Sequence, residues 1–189
     1  MEFTLVYQGS LKANSSVKDK QDIRQKFHLQ LKKLWAQPPL NTYGPPNGHF
    51  LDDNPPPHEI SVIQSVGDFR FAPLVTSKLH LIAELNITML RPQAAGSIVT
   101  HGGDIDNRLK TLLDALRMPK EVSEIPKGHK PQVDENLFFC LLEDDTLITK
   151  LSVATDQLLE PCEDVSYVNL FIHVQTKAII QIFANVGLG

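Results

Sequence analysis

The sequence predicts a single compact α+β domain over residues 1–189, a small mixed β-sheet with two main helices packed on one face. Three observations lead to that class. Alternating apolar residues mark strands in the first and last thirds of the chain and in the middle. Two stretches of helical periodicity are interleaved with them. The chain length, 189 residues, is that of one ordinary domain, and no internal repeat divides it.

Residues 2–7 (EFTLVY) alternate and are rich in β-formers, which predicts the first strand. Over 18–37, Ile23, Phe27, Leu31 and Leu34 recur at helical spacing with charges opposite, and Pro38-Pro39 ends that helix. Seven prolines crowd 38–58, so this segment reads as an exposed irregular loop. Period two returns over 78–91, with Leu79, Leu81, Ala83, Leu85, Ile87 and Met89 on one face. A second helix is expected from about Asn107 to Arg117, its apolar stripe Leu109, Leu112, Leu113 and Leu116, with Asp106 as cap and Pro119 as stop. A polar loop follows, then the run LFFCLL, a buried strand or a turn of helix. Two alternating strands close the chain, one through Leu147, Thr149, Leu151 and Val153, the other through Val168, Leu170, Ile172 and Val174.

Composition excludes several classes. Apolar residues make up 42% and charged residues 21%, enough for a buried core. No apolar run approaches the roughly 20 residues of a membrane-spanning helix, so no membrane partner is expected. The opening MEFTLVYQGSL lacks the basic and apolar regions of a signal peptide. Cys140 and Cys162 stand far apart without metal-ligand spacing, which fits a reducing, cytoplasmic setting. The net charge of −4 is unusual for a nucleic-acid protein, whose affinity rests on phosphate contacts, though a local basic patch can coexist with it. Glycine-rich phosphate loops, H-E-x-x-H and G-x-S-x-G do not occur.

Acidic residues gather at two places. In Asp104-Ile105-Asp106 an extended backbone would point both carboxylates the same way, toward one hard cation, and Gly102-Gly103 lets the chain bend there. Lys110 and Asp114 follow at successive i, i+4 positions, which reads either as helical salt bridges or as an ammonium beside metal-ligating carboxylates. Glu143-Asp144-Asp145 precedes the strand near Leu147. It reads as a polar turn, or as clustered negative charge that a cation would offset.

Taken together, GGDIDNRLKTLLDAL over 102–116, the later EDD and the alternating strand after it resemble the RusA family of Holliday junction resolvases. The family repeats, in this order, a D-[LI]-D-N-x-x-K helix start, a D-A-L and a D-D before a strand. The resemblance implies metal ligands Asp104, Asp106 and Asp145, a catalytic lysine Lys110, and Asp144 as helper. Asn107 and Asp114 match the motif and are expected to orient the helix start and pair with Lys110. It further implies a small α+β homodimer that cuts four-way DNA junctions with Mg²⁺ (or Mn²⁺), and carboxylate oxygens suit those ions. Relative to the family, the proline-rich loop at 38–58 and the segment at about 118–141 read as insertions. The acidic charge leaves a fork or flap open as substrate.

The first helix carries Lys18, Lys20, Arg24, Lys26, Lys32 and Lys33, and the loop after the second carries Arg117, Lys120, Lys127, His129 and Lys130. Arg117, Lys120, Lys127 and Lys130 are the expected DNA contacts. His101 lies nearest the motif, in a secondary or incidental role; His80 and His173 are expected to be structural strand residues, and Trp35 a core anchor. Two other readings remain: a RusA-fold nucleic-acid-binding or scaffold protein with little or no cleavage, and a domain in which an ion only ties the helix start to the sheet.

Overall fold

The computed structural model describes residues 1–42, 49–93 and 104–189, with backbone only for His49 and Asp104. Glu2–Ser10 forms β1, and Val17–Trp35 forms α1. Ser16 caps α1 in a reciprocal box: its hydroxyl accepts from the Asp19 amide at 3.1 Å while the Asp19 carboxylate accepts from the Ser16 amide at 3.0 Å. Gln64–Val66 (β2) and Phe69–Val75 (β3) make a hairpin, followed by β4, Leu81–Arg91. Then come α2 (Asp104–Leu116), β5 (Phe138–Leu142), β6 (Ile148–Gln157) and β7 (Tyr167–Ala178).

The expected α+β class holds, with two helices, but the strands form two sheets where one was expected. The larger has the order β1-β7-β4-β6; β4 runs antiparallel to β7 and parallel to β6. The smaller has the order β2-β3-β5, with β3 and β5 parallel. Alternation along β4 buries Leu81, Ala83, Leu85, Ile87 and Met89, which meet Leu5, Val168, Leu170, Ile172 and Val174 from neighbouring strands. Ile23, Phe27 and Leu31 of α1 and Leu112, Ala115 and Leu116 of α2 belong to the same core. Each of these Leu, Ile, Val, Phe and Met side chains contributes roughly 1.5–3 kcal/mol through the area it removes from water. Trp35 anchors the core as expected, its ring edge-on to Phe50 at 6.3 Å.

Two local expectations are corrected, and the β2–β3 hairpin adds an element on which the sequence reading is silent. The β2–β3 hairpin lies in a stretch with no clear alternation, because β3 is buried along nearly its whole length. Gly67, at φ 59°, takes the first of its two loop positions, as a type II′ turn demands. Lys78 and His80 are not strand residues: 77–79 is one 3-10 turn, and His80 closes it in the left-handed region at φ 52°. Helix α2 begins at Asp104, so Asp106 sits inside its first turn and is not the cap. The extended-chain argument for Asp104 and Asp106 does not apply there. His101, Gly102 and Gly103 lie outside the described residues.

Candidate functional site

Helix α2 links opposite ends of the larger sheet. Near its start, the Arg108 guanidinium donates to the Val165 and Ser166 carbonyls at 3.4 and 3.5 Å, just before β7 begins. β7 begins beside the last residues of β4, which are also level with the last residues of β6. Past the helix end, Arg117 bridges to Leu142 and the Met118 amide donates to the Leu142 carbonyl at 2.9 Å. That is where β5 stops and the chain turns toward β6.

The two acidic clusters therefore fall at different ends. Asp106 and Lys110 are exposed in the first turns of α2, and neither forms a hydrogen bond or ion pair with a described residue. Asp144 and Asp145 lie beyond the other end, with Lys120 at 2.6 and 3.8 Å. A helical rise of about 1.5 Å per residue separates Asp106 from Arg117 by roughly 16 Å. Among the described residues of one chain, no three His, Cys, Asp or Glu side chains are close enough to share a metal ion.

The C-terminal end of α2 is a closed network. Arg24, 1% exposed, donates to Gln21 Oε1 at 2.6 Å and to the Asp114 and Arg117 carbonyls at 3.0 and 3.2 Å. Asp114 pairs with Lys20 at 2.6 Å and Arg117 at 3.2 Å; the expected pairing with Lys110 is absent among the described ion pairs. Burial would raise the Asp114 pKa, but Lys20 and Arg117 outweigh it and hold the carboxyl below its ordinary value. Arg117, itself buried, also holds Glu124 at 2.9 Å. A DNA contact by Arg117 would draw on a guanidinium that already donates to Asp114, Glu124 and the Met118 carbonyl.

Glu143-Asp144-Asp145 divides by role. Glu143 accepts from Thr76 Oγ1 at 2.6 Å, the Ser77 amide at 2.7 Å, Ser77 Oγ and Gln64 Nε2 both at 2.8 Å. Burial raises its pKa, and those four donors more than reverse the effect. The group fastens the chain after β5 to the turn before β4. Lys120, through its hydrogen bond to Asp144, pushes that carboxyl far below its ordinary range, and Asp144 raises Lys120 in return. A groove of about 440 Å³ opens here, lined by Gln64, Ser77, Lys120, Glu143 and Asp144. Sequence reasoning missed this pairing of Lys120 with Asp144, for which spacing gives no signal.

The basic face of α1 is likewise partly spoken for. Lys26 donates to the Gln8 carbonyl at 2.6 Å and Lys32 to the Asp134 carbonyl at 2.7 Å. Lys127 and Lys130 are exposed and line a second groove of about 440 Å³ with His129, whose ring stacks on Phe69 at 5.6 Å. Among the described residues, no helix is long and apolar enough to cross a membrane. No family model, no curated protein and no solved structure matches this chain.

Proposed function

We propose that the chain is a RusA-like, Mg²⁺-dependent, structure-selective DNA endonuclease that acts as a homodimer on branched DNA, with the four-way junction as first substrate. The observation that supports it most is the state of Asp106 and Lys110. In a helix where Asp114 is held by Lys20 and Arg117, these two motif residues stand exposed and without a partner among the described residues. An ammonium one turn from a carboxylate has little structural purpose there, since exposed pairs stabilise by only tenths of a kcal/mol.

The donor chemistry of Asp104, Asp106 and Asp145 suits Mg²⁺ or Mn²⁺, but Asp106 and Asp145 do not converge within one copy. A complete set thus calls for Asp104 and Asp106 from one copy and Asp145 from a second. A bound ion would supply an activated water and charge stabilisation at the leaving oxygen. Lys110 would balance charge on the phosphoryl group, and Asp144 would orient Asp145 and hold Lys120. Lys127 and Lys130, exposed beside the stacked Phe69–His129 pair, would take backbone phosphates.

One observation favours the second reading, a RusA-fold protein that binds branched DNA without cutting. Lys120 already offsets the Asp144–Asp145 charge without an ion. The test is cleavage of a labelled synthetic four-way junction and of linear duplex, with Mg²⁺ and with EDTA, by wild type and Asp104→Asn. Paired nicks on the junction alone, with Mg²⁺ and wild type alone, support the nuclease. Junction binding without cutting of junction, fork or flap supports the binding protein.

A further inference from the structure

The larger sheet has two edges, and they are treated differently. At β1, side chains of α1 occupy the outward backbone: the Val6 amide donates to Gln30 Oε1 at 2.9 Å, Gln30 Nε2 donates back to the Val6 carbonyl at 2.7 Å, and Lys26 covers the Gln8 carbonyl. At β6 the described side-chain contact to the outward backbone is local: Asp156 Oδ1 accepts from the neighbouring Gln157 amide at 2.7 Å, and no described residue of another element covers the strand. This edge runs ten residues, ITKLSVATDQ, with no proline or glycine to interrupt it. Leu151, on the core side, is left 41% exposed. The β6 ladder to β4 shifts register once, where Ile148 and Lys150 oppose Ala83 and Glu84, and is regular from Lys150 to Gln157; a long edge of this kind is a template for another strand.

We infer that β6 pairs antiparallel with β6 of a second copy of this chain, about a two-fold axis at Val153, joining the two four-stranded sheets into one. The register follows from three constraints. The Leu158 amide donates to the Arg91 carbonyl at 2.6 Å, so residues 150, 152, 154 and 156, at even steps from it, face β4; residues 149, 151, 153, 155 and 157 face outward. Outward residues must pair with outward residues, and the core face with the core face. Centring on Val153 satisfies both and keeps nine of the ten residues, 149–157, in the ladder. It also sets Lys150 directly opposite Asp156 of the second copy, twice by symmetry, and covers Leu151. A shift of the axis by one residue in either direction takes Lys150 away from Asp156.

This pairing rests on the reading that a second copy completes the site, and it makes that geometrically available. Antiparallel strands bring the end of one β4–β6 pair, where α2 starts, beside the start of the other copy's β6, where Asp145 lies.

The test uses charge exchange, read as mass by light scattering without metal or DNA. Lys150→Glu faces Asp156 with a like charge, and Asp156→Lys faces Lys150 with one; each alone should dimerise about tenfold more weakly than wild type. Mixed together, they pair Glu with Lys and Lys with Asp and should recover a heterodimer of wild-type affinity. In a Cys162→Ser background, Ser152→Cys mixed with Ala154→Cys should form an interchain disulfide that neither variant forms alone. A monomeric wild type, single variants that dimerise like wild type, or a mixture no tighter than its parts would overturn the inference. The readouts separate the two claims: a β6-paired dimer that never cuts refutes the nuclease alone, and a cutting dimer indifferent to these charges refutes the pairing alone.

Discussion

At the C-terminal end of α2, Asp114 is held by Lys20 and Arg117, Arg117 by Glu124, and the backbone beneath them by the buried Arg24. At the N-terminal end, one carboxylate and one ammonium of the same kinds, Asp106 and Lys110, meet only solvent among the described residues. The residue types and helical spacing are alike; the surroundings differ. α1 crosses the later turns of the helix and supplies partners there, so the ions at that end specify packing. In the earlier turns Asp106 and Lys110 make no described contact within one copy, which is where chemistry can be placed at little cost to the fold.

That contrast sets the order of expected effects. Replacing Arg24 by Met strips two backbone carbonyls and Gln21 of their buried donor, and should cost about 3 kcal/mol or more in urea unfolding. A loss under 1 kcal/mol would mean the network at this end is not what holds the helices together. Glu143→Ala removes the acceptor of four hydrogen bonds between the two chain turns, and about 2 kcal/mol should go with it. Asp114→Asn keeps the shape and loses the charge that faces Lys20 and Arg117, an expected loss of about 1 kcal/mol. Lys110→Ala, by contrast, should leave stability within roughly 0.5 kcal/mol while removing cleavage. If Lys110→Ala unfolds as readily as Arg24→Met, the two ends are not distinct.

Acid should reveal the buried side of the comparison. His28 of α1, whose Nδ1 accepts from the Phe139 amide at 2.9 Å, has its pKa lowered chiefly by burial. Below its ordinary value of about 6.5 the unfolded chain binds the proton and the fold resists it, so stability falls as pH drops through that value toward the folded one. Asp114, lowered in the fold, adds stability that is present above about 3.9 and lost below it. His28→Gln should remove the first phase of acid destabilisation and leave the second, as followed by unfolding midpoints from pH 8 to pH 3.

Much of the fold is legible from periodicity. The 3.6-residue pattern of Ile23, Phe27 and Leu31 and the period-two pattern through Leu81 to Met89 report burial directly, because one face meets the core. β3 escapes that logic, since both of its faces are covered and Pro73 interrupts the strand pattern. Pro73 is tolerated because β2 pairs only as far as Phe71, so its missing amide is not needed there. The candidate site is legible as a set of residue types and only partly as a place. Lys20 lies 94 residues from Asp114, and Lys120 reaches Asp144 across the loop and β5; no local rule forecasts either contact. Nor does sequence order reveal that Asp106 and Asp145 stand at opposite ends of one helix.

The central claim, a nuclease whose site is completed by two copies, is tested most directly by mixing two inactive variants. Asp106→Asn and Asp145→Asn should each fail to nick the four-way junction with Mg²⁺. In their mixed dimer, one of the two sites draws its Asp106 and its Asp145 from the unaltered positions of different copies. Random exchange should therefore restore about a quarter of the wild-type sites, seen as single-strand nicks. A refolded mixture that is confirmed as dimer and stays as inactive as either variant alone would contradict the account.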